Sequence, residues 1–280
     1  MRVRAAVALV AELVALAGCS VGASASPPSD STSSIPGPDA PTPTAALVRV
    51  AAAADLRFAL DDVAVEWSAA NPGVTVEPTY GSSGNFLAQI SAGAPFDVFF
   101  SADAEYPHRL EVAGLADAGS TRLYAIGQIV VWVPAGSGLD VEARGLEALT
   151  YTSVETVAIA NPEHAPYGRA AVAAIQSAGL YGAIEPKLVL GENVSQAAQF
   201  VESGNADAGV IALSMALAPT LRDKGKYSVV PIDSYPRIEQ GAVVLKSAAS
   251  PDVARAFLDF VLGPDGRAVL DRYGFLLPTP

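Results

Sequence analysis

The chain has one cysteine, Cys19, and two histidines, His108 and His164, among 280 residues. A lone thiol excludes an internal disulfide and a cysteine-built metal centre, and two distant histidines do not make a His-rich cluster. Charge is scarce as well. Only 16% of residues are charged, and 29 acidic against 17 basic residues leave a net charge of −12. Such a chain is a poor partner for nucleic acid or for an anionic surface bound through a general basic field. A small anion stays admissible if backbone N–H groups and helix ends hold it in place of Lys or Arg. What is plentiful is apolar: 51% of residues are hydrophobic, many of them alanine, enough for one large core or two modest ones.

The first 46 residues read as an address and a tether. Arg2 and Arg4 precede a short run of Ala, Val and Leu that ends in Leu16-Ala17-Gly18-Cys19. A basic start, an apolar stretch and small residues before a cleavage point make a secretory signal, too short for a comfortable bilayer span. The last four residues resemble a bacterial lipobox. That resemblance implies removal of 1–19, acylation of Cys19 and an extracytoplasmic protein anchored to the cell membrane by lipid. Residues 20–46 are mostly Ser, Pro, Thr, Gly and Ala; with so little to bury, they predict a disordered linker.

From Leu47 onward, short strands alternate with helical spacing. The pattern predicts strands over 47–53, 73–80, 97–101 and 128–133, then 156–160, 187–190, 208–212, 227–232 and 241–245, with helices between them. This is an α/β arrangement of parallel strands covered by helices. Pro78 marks its strand as an edge. The pattern restarts after residue 133 and suggests two lobes.

Four strand-to-helix turns could present amides to an anion, because helix N-termini carry unpaired N–H groups and a positive dipole end. They are Ala51–Leu56, with Asp55 as a possible N-cap; Tyr80–Asn85, with Ser82, Ser83 and two glycines; Asn161–Gly168, with His164 and Tyr167; and Gly191–Ser195, where Asn193 or Ser195 can cap. Each alone is also an ordinary capped turn. Their recurrence in both halves is the signal. Asp97 and Asp103 flank a predicted buried strand, which suits turn and capping roles better than paired catalysis.

In order along the chain, AAAADL, YGSSGNFLAQISAGAPFDVFFSAD, NPEHAPYGRAA, GENVSQAAQFVESGNADAGVIALS and DRYGF resemble the periplasmic molybdate-binding proteins of ABC importers, from about Val48 to Phe275. The resemblance implies a two-lobed, type II periplasmic-binding-protein fold, with lobe 1 over 47–125 plus 233–280 and lobe 2 over 126–232. It implies a ligand, molybdate or tungstate, taken up from a cleft and delivered to a membrane permease with an ATPase subunit. No cofactor, no nucleic acid, a monomer and no catalysis are expected. By position it assigns the oxyanion to Ala54, Asp55, Ser82, Ser83, Tyr167 and Val194. The resemblance implies that the oxyanion is held chiefly by Ala54, Ser83, Tyr167 and Val194, through hydroxyl and backbone N–H donors and without a counter-charge. Ala54 stands where Ser or Thr is frequent, leaving only amides in the first turn. Ala212 stands where some members have a ligand-contacting tyrosine, and Tyr167 is expected to supply a phenol from another direction. Asp55 is expected to point away from the ligand or to cap its helix. The competing readings are a same-fold receptor for another anion or for ferric ion, held by Tyr80 and Tyr167; a hydrolase using His164, Asp97 or Asp103; and a tethered interaction domain without a ligand.

Overall fold

The computed structural model describes residues 46–279. The signal sequence, Cys19 and the linker up to residue 45 lie outside the described residues, and the first strand starts at Ala46, the last residue assigned to that linker.

The first lobe opens with β1 (Ala46–Ala53), a short 3-10 turn (Ala54–Leu56), α1 (Arg57–Ala70), β2 (Val74–Gly81), α2 (Ser83–Ser91), β3 (Val98–Ser101), α3 (Glu105–Val112) and β4 (Arg122–Gly127). The second runs through β5 (Ile129–Pro134), α4 (Val141–Arg144), β6 (Val157–Ala160), α5 (Pro166–Ser177), α6 (Tyr181–Ile184), β7 (Leu188–Gly191), α7 (Val194–Glu202), β8 (Ala208–Ala212), α8 (Leu213–Ala216) and β9 (Gly225–Val229). The chain then returns to the first with β10 (Ile238–Val244), α9 (Pro251–Leu262) and α10 (Pro264–Arg272).

Two five-stranded mixed sheets result, ordered β2-β1-β3-β10-β4 and β7-β6-β8-β5-β9. In each sheet four strands run the same way and one is antiparallel to its neighbours, β10 in the first and β5 in the second; β4 to β5 and β9 to β10 carry the chain between lobes. β2, with Pro78, is an edge, where a residue without an N–H costs no ladder bond. β4 is a strand that the hydrophobic pattern does not signal. It places the crossing after Gly127 rather than between 125 and 126, because Ile126 and Gly127 pair with Glu239 and Ile238. The strand predicted over 227–232 stops at Val229, just before Pro231 cannot donate; that predicted over 241–245 begins earlier, at Ile238.

Period-two alternation explains why the first sheet is covered on both faces. Val50, Ala52, Val98, Phe100 and Ala242 point into a core with α1, α9 and α10. Their neighbours Ala51, Phe99 and Val243 point the other way, onto Phe86, Ile90 and Leu110 of α2 and α3. Phe257 is fully buried, with ring centroids 5.8 Å from Trp67 and 6.3 Å from Phe100. Phe257→Ala is expected to destabilise the protein by about 3–5 kcal/mol, read as a lowered denaturation midpoint with unchanged slope. The second lobe packs around Trp132, Ile129, Ile159 and Ile175.

Candidate functional site

The carboxyl ends of β1, β2 and β7, and the turn that follows β6, open onto one cleft between the lobes. Ala54, Asp55, Ser82, Ser83, Tyr167 and Val194 line it together. Local chemistry explains which amides stay available. In α2, Ser82 is the N-cap and accepts from the Asn85 amide at 3.4 Å. The Gly84 amide is used across the cleft, on His164 O at 3.0 Å. Ser83 keeps its amide and, more usefully, its hydroxyl proton. Its Oγ accepts from the Ala102 amide at 2.9 Å, so the O–H is oriented and still free to donate. In α7, Asn193 caps by accepting from the Ser195 and Gln196 amides at 3.0 and 3.1 Å, which spares the Val194 amide. In α5, Pro166 occupies the first position and has no N–H, so Tyr167 carries the first usable amide of that helix.

Two expectations are corrected. Asp55 does not cap. The 3-10 turn begins at Ala54, so Asp55 sits inside it, and the cap position falls to Ala53 without any side-chain bond. The carboxyl turns inward, where Oδ2 accepts from the Tyr167 hydroxyl at 2.8 Å and from Gln240 Nε2 at 2.7 Å. Oδ1 is buried and has no partner. Burial pushes this carboxyl up to about 6, against the hydrogen bonds from Gln240 and Tyr167 and the nearby Asp55 and Leu56 amides, which pull it down. The second correction follows from the first. The Tyr167 phenol is committed to Asp55 and accepts from Gln240 Nε2 at 2.9 Å, so it does not stand in for a tyrosine at position 212. Ala212 ends β8, is buried, and is not part of the cleft wall. Burial, then the Asp55 charge, hold the Tyr167 phenol well above its ordinary value.

Behind Asp55 the network continues. Gln240 Oε1 accepts from the Tyr124 hydroxyl at 2.6 Å, and Ser214 Oγ donates to the Asp55 carbonyl at 2.8 Å. Sequence spacing carries no signal for these partners, nor for Ala102 as the group that orients Ser83. They lie 19 to 185 residues apart and meet only through the sheets.

The lobes also meet at the cleft rim. Ser82 Oγ lies 2.8 Å from His164 Nδ1 and donates to His164 O at 3.0 Å; the ring proton position follows the tautomer. Asn85 bonds Glu192, and His164 Nε2 lies 3.7 Å from Glu192 Oε2. The acids of the hydrolase reading are placed elsewhere. Asp97 accepts from the Arg49 and Ala249 amides at 2.7 and 2.8 Å, and Asp103 pairs with Arg169 at 2.5 Å. Of the ferric reading, Tyr80 donates to Asp61 at 2.6 Å. Among the described residues no group of three His, Cys, Asp or Glu side chains could hold a metal ion.

The cleft therefore presents amides and one hydroxyl from both lobes, with no Lys or Arg in its wall. Its enclosed space is only about 10 Å³, far below the several hundred Å³ of a typical organic-ligand pocket. A wider groove lined by Arg122, Lys246 and Arg255 is a surface feature whose charges are already engaged with Gly119 O, Asp117 and Asp252.

Comparison with known proteins agrees with this geometry. A family model for bacterial extracellular solute-binding proteins matches residues 48–276. The molybdate-binding protein ModA of Rhodobacter capsulatus is 41% identical over 204 residues, 73% of this chain and 78% of that protein. ModA of Azotobacter vinelandii is 37% identical, covering 82% of this chain and 90% of its own length. The solved structure of the Azotobacter vinelandii periplasmic molybdate-binding protein has a TM-score of 0.78 and 33% identity, covering 83% of this chain and 100% of that one. The chain belongs to the bacterial extracellular solute-binding protein family, among the molybdate-binding ModA proteins.

Proposed function

We propose that this protein is the extracytoplasmic receptor of an ABC importer for molybdate or tungstate, and that it binds without chemistry on its cargo. The observation that carries this is the convergence of helix ends from both lobes on one small cleft, where uncharged donors are left over after every cap is counted. A fully deprotonated tetrahedral dianion only accepts hydrogen bonds, and donors to a charged oxygen strengthen as closure excludes water. Ala54, Ser83, Tyr167 and Val194 supply those donors, with Asp55 at the same wall. The loaded, closed protein then docks as a monomer on a membrane permease whose ATPase subunit drives transport. Acylation of Cys19 would keep it at the membrane surface; among the described residues no helix is long and apolar enough to cross one.

Calorimetric titration of the chain with molybdate, tungstate, sulfate and phosphate tests the reading. Saturable binding of the first two, with sulfate and phosphate much weaker, is expected. One observation favours a second reading: Asp55 is an acceptor in the cleft wall, and an ionised carboxylate there would suit an anion that brings its own proton, such as hydrogen phosphate. Preference for phosphate in that titration would replace the molybdate reading with this one. The Ser82–His164 contact does not favour a hydrolase, because Ser82 is buried and its Oγ is already a helix cap.

A further inference from the structure

Resting on the oxyanion-receptor reading, we propose that Asp55 is protonated in the closed, loaded protein, so that each dianion is captured together with one proton. The placement of the side chain argues for it. Asp55 is 1% exposed, lines the same cleft as the Ser83, Tyr167 and Val194 donors, and among the described residues no cation pairs with it. Its two side-chain hydrogen bonds both fall on Oδ2, while Oδ1 has no well-formed partner. A carboxylate so placed would face a doubly negative ligand through a dry medium, where like charges repel strongly. A proton on Oδ1 removes the repulsion. It also turns the one acceptor without a partner into a donor, in a site whose ligand needs donors.

The surroundings offer no other way to neutralise the charge. Tyr167 of α5 donates to Asp55 directly, Tyr124 of β4 reaches it through Gln240 of β10, and Tyr235 stands beyond Tyr167. The elements packed on its turn are α1, β2, α7 and α8. On α1, Arg57 is exposed, Asp61 holds Tyr80 of β2, Asp62 holds Tyr273, and Glu66 lies near Arg272. Glu77 of β2 is solvent-exposed, Glu202 of α7 pairs with Lys224, and α8 has no charged residue. Arg169 of α5 is held by Asp103, and on β10 Glu239 lies near Arg237.

The direction with pH follows. Burial already brings the Asp55 carboxyl to about 6 without a ligand, and a dianion beside it raises the value further. Below about pH 5 both forms hold the proton and affinity is level. Above about pH 6 the ligand-free form loses it and the loaded form must regain it, so binding weakens by up to about tenfold per pH unit. The experiment is calorimetric titration of the full chain with sodium molybdate at pH 5 to 8.5, repeated at pH 7.5 in buffers of low and high ionisation enthalpy. Uptake of close to one proton per anion at pH 7.5, falling towards zero at pH 5, is the expected result. In Asp55→Asn the uptake disappears and Kd is flat with pH. An infrared difference band of a protonated carboxyl, appearing on molybdate addition and missing in the variant, supports the same assignment. Tight molybdate binding with no proton uptake in the natural protein overturns the inference and leaves the receptor reading intact. The same holds if Asp55→Asn binds with unchanged uptake. No molybdate binding at any pH overturns both. The arm on the natural protein decides the matter even if the variant does not fold.

Discussion

Gly84→Ala is expected to weaken oxyanion binding by up to about a hundredfold while leaving the ligand-free protein at least as stable as before. Gly84 is the second residue of α2. A Cβ built on it would stand 2.6 Å from His164 O and 3.0 Å from both His164 Cα and Cβ. Those atoms belong to the other lobe, and two of the three are backbone, so a flexible side chain cannot swing aside to make room. The same approach carries the Gly84 amide onto His164 O at 3.0 Å. An added methyl therefore opposes the last part of lobe closure, at a cost of about 1–3 kcal/mol as for other overpacked contacts, and every tenfold in affinity corresponds to about 1.4 kcal/mol. With the lobes apart the His164 atoms are withdrawn, and alanine favours helix by up to about 1 kcal/mol over glycine. Titration of the variant beside its thermal melt separates the two effects. Unaltered affinity would show that the ligand-bound protein does not close along the α2–His164 contact.

Ser83→Ala should lower affinity by about 10- to 150-fold, the range for losing a hydrogen bond to a charged partner, about 1.5–3 kcal/mol. It should also cost stability in the absence of ligand, because the Ala102 amide loses the oxygen it now reaches at 2.9 Å, and an orphaned buried N–H costs about 1–3 kcal/mol. Ser83→Thr retains the hydroxyl and should recover part of both losses. Ser82→Ala is the internal control. Its hydroxyl is turned to His164 and to the α2 cap, so the expected loss is mainly about 0.5–2 kcal/mol of helix stability, with a smaller change in binding. A larger affinity loss in Ser82→Ala than in Ser83→Ala would reverse the assignment of the two serines.

These variants also show where reading along the chain stops being informative. The apolar run VFFS and the alternating GVTVEPTY announce β3 and β2, because burial on one face or two leaves a period that neighbouring residues share. RLYAIG of β4 has no such period; its strand state is imposed by β10 and by the chain's need to leave the first sheet there. The serines, the asparagine and the prolines of the helix starts were legible for a similar reason. A cap acts on amides two or three residues away, so the Asn193 bonds to Ser195 and Gln196 lie within reach of local inspection. Asp55 shows the opposite case. Locally it is a good cap, and only the arrival of Tyr167, 112 residues on, and Gln240, 185 residues on, draws its carboxyl into a buried network beside the cleft.

Composition and order along the chain determined the α/β class, the four donor turns and the absence of a basic route to an anion, since each depends on residue type or on neighbours a few positions apart. Tertiary structure alone decided that the turns share one cleft, that the Tyr167 phenol is spent on Asp55, and that Ala102 aims the Ser83 hydroxyl. Those outcomes depend on groups brought within 3 Å by the pairing of distant strands, and such long-range pairing leaves no mark on local spacing.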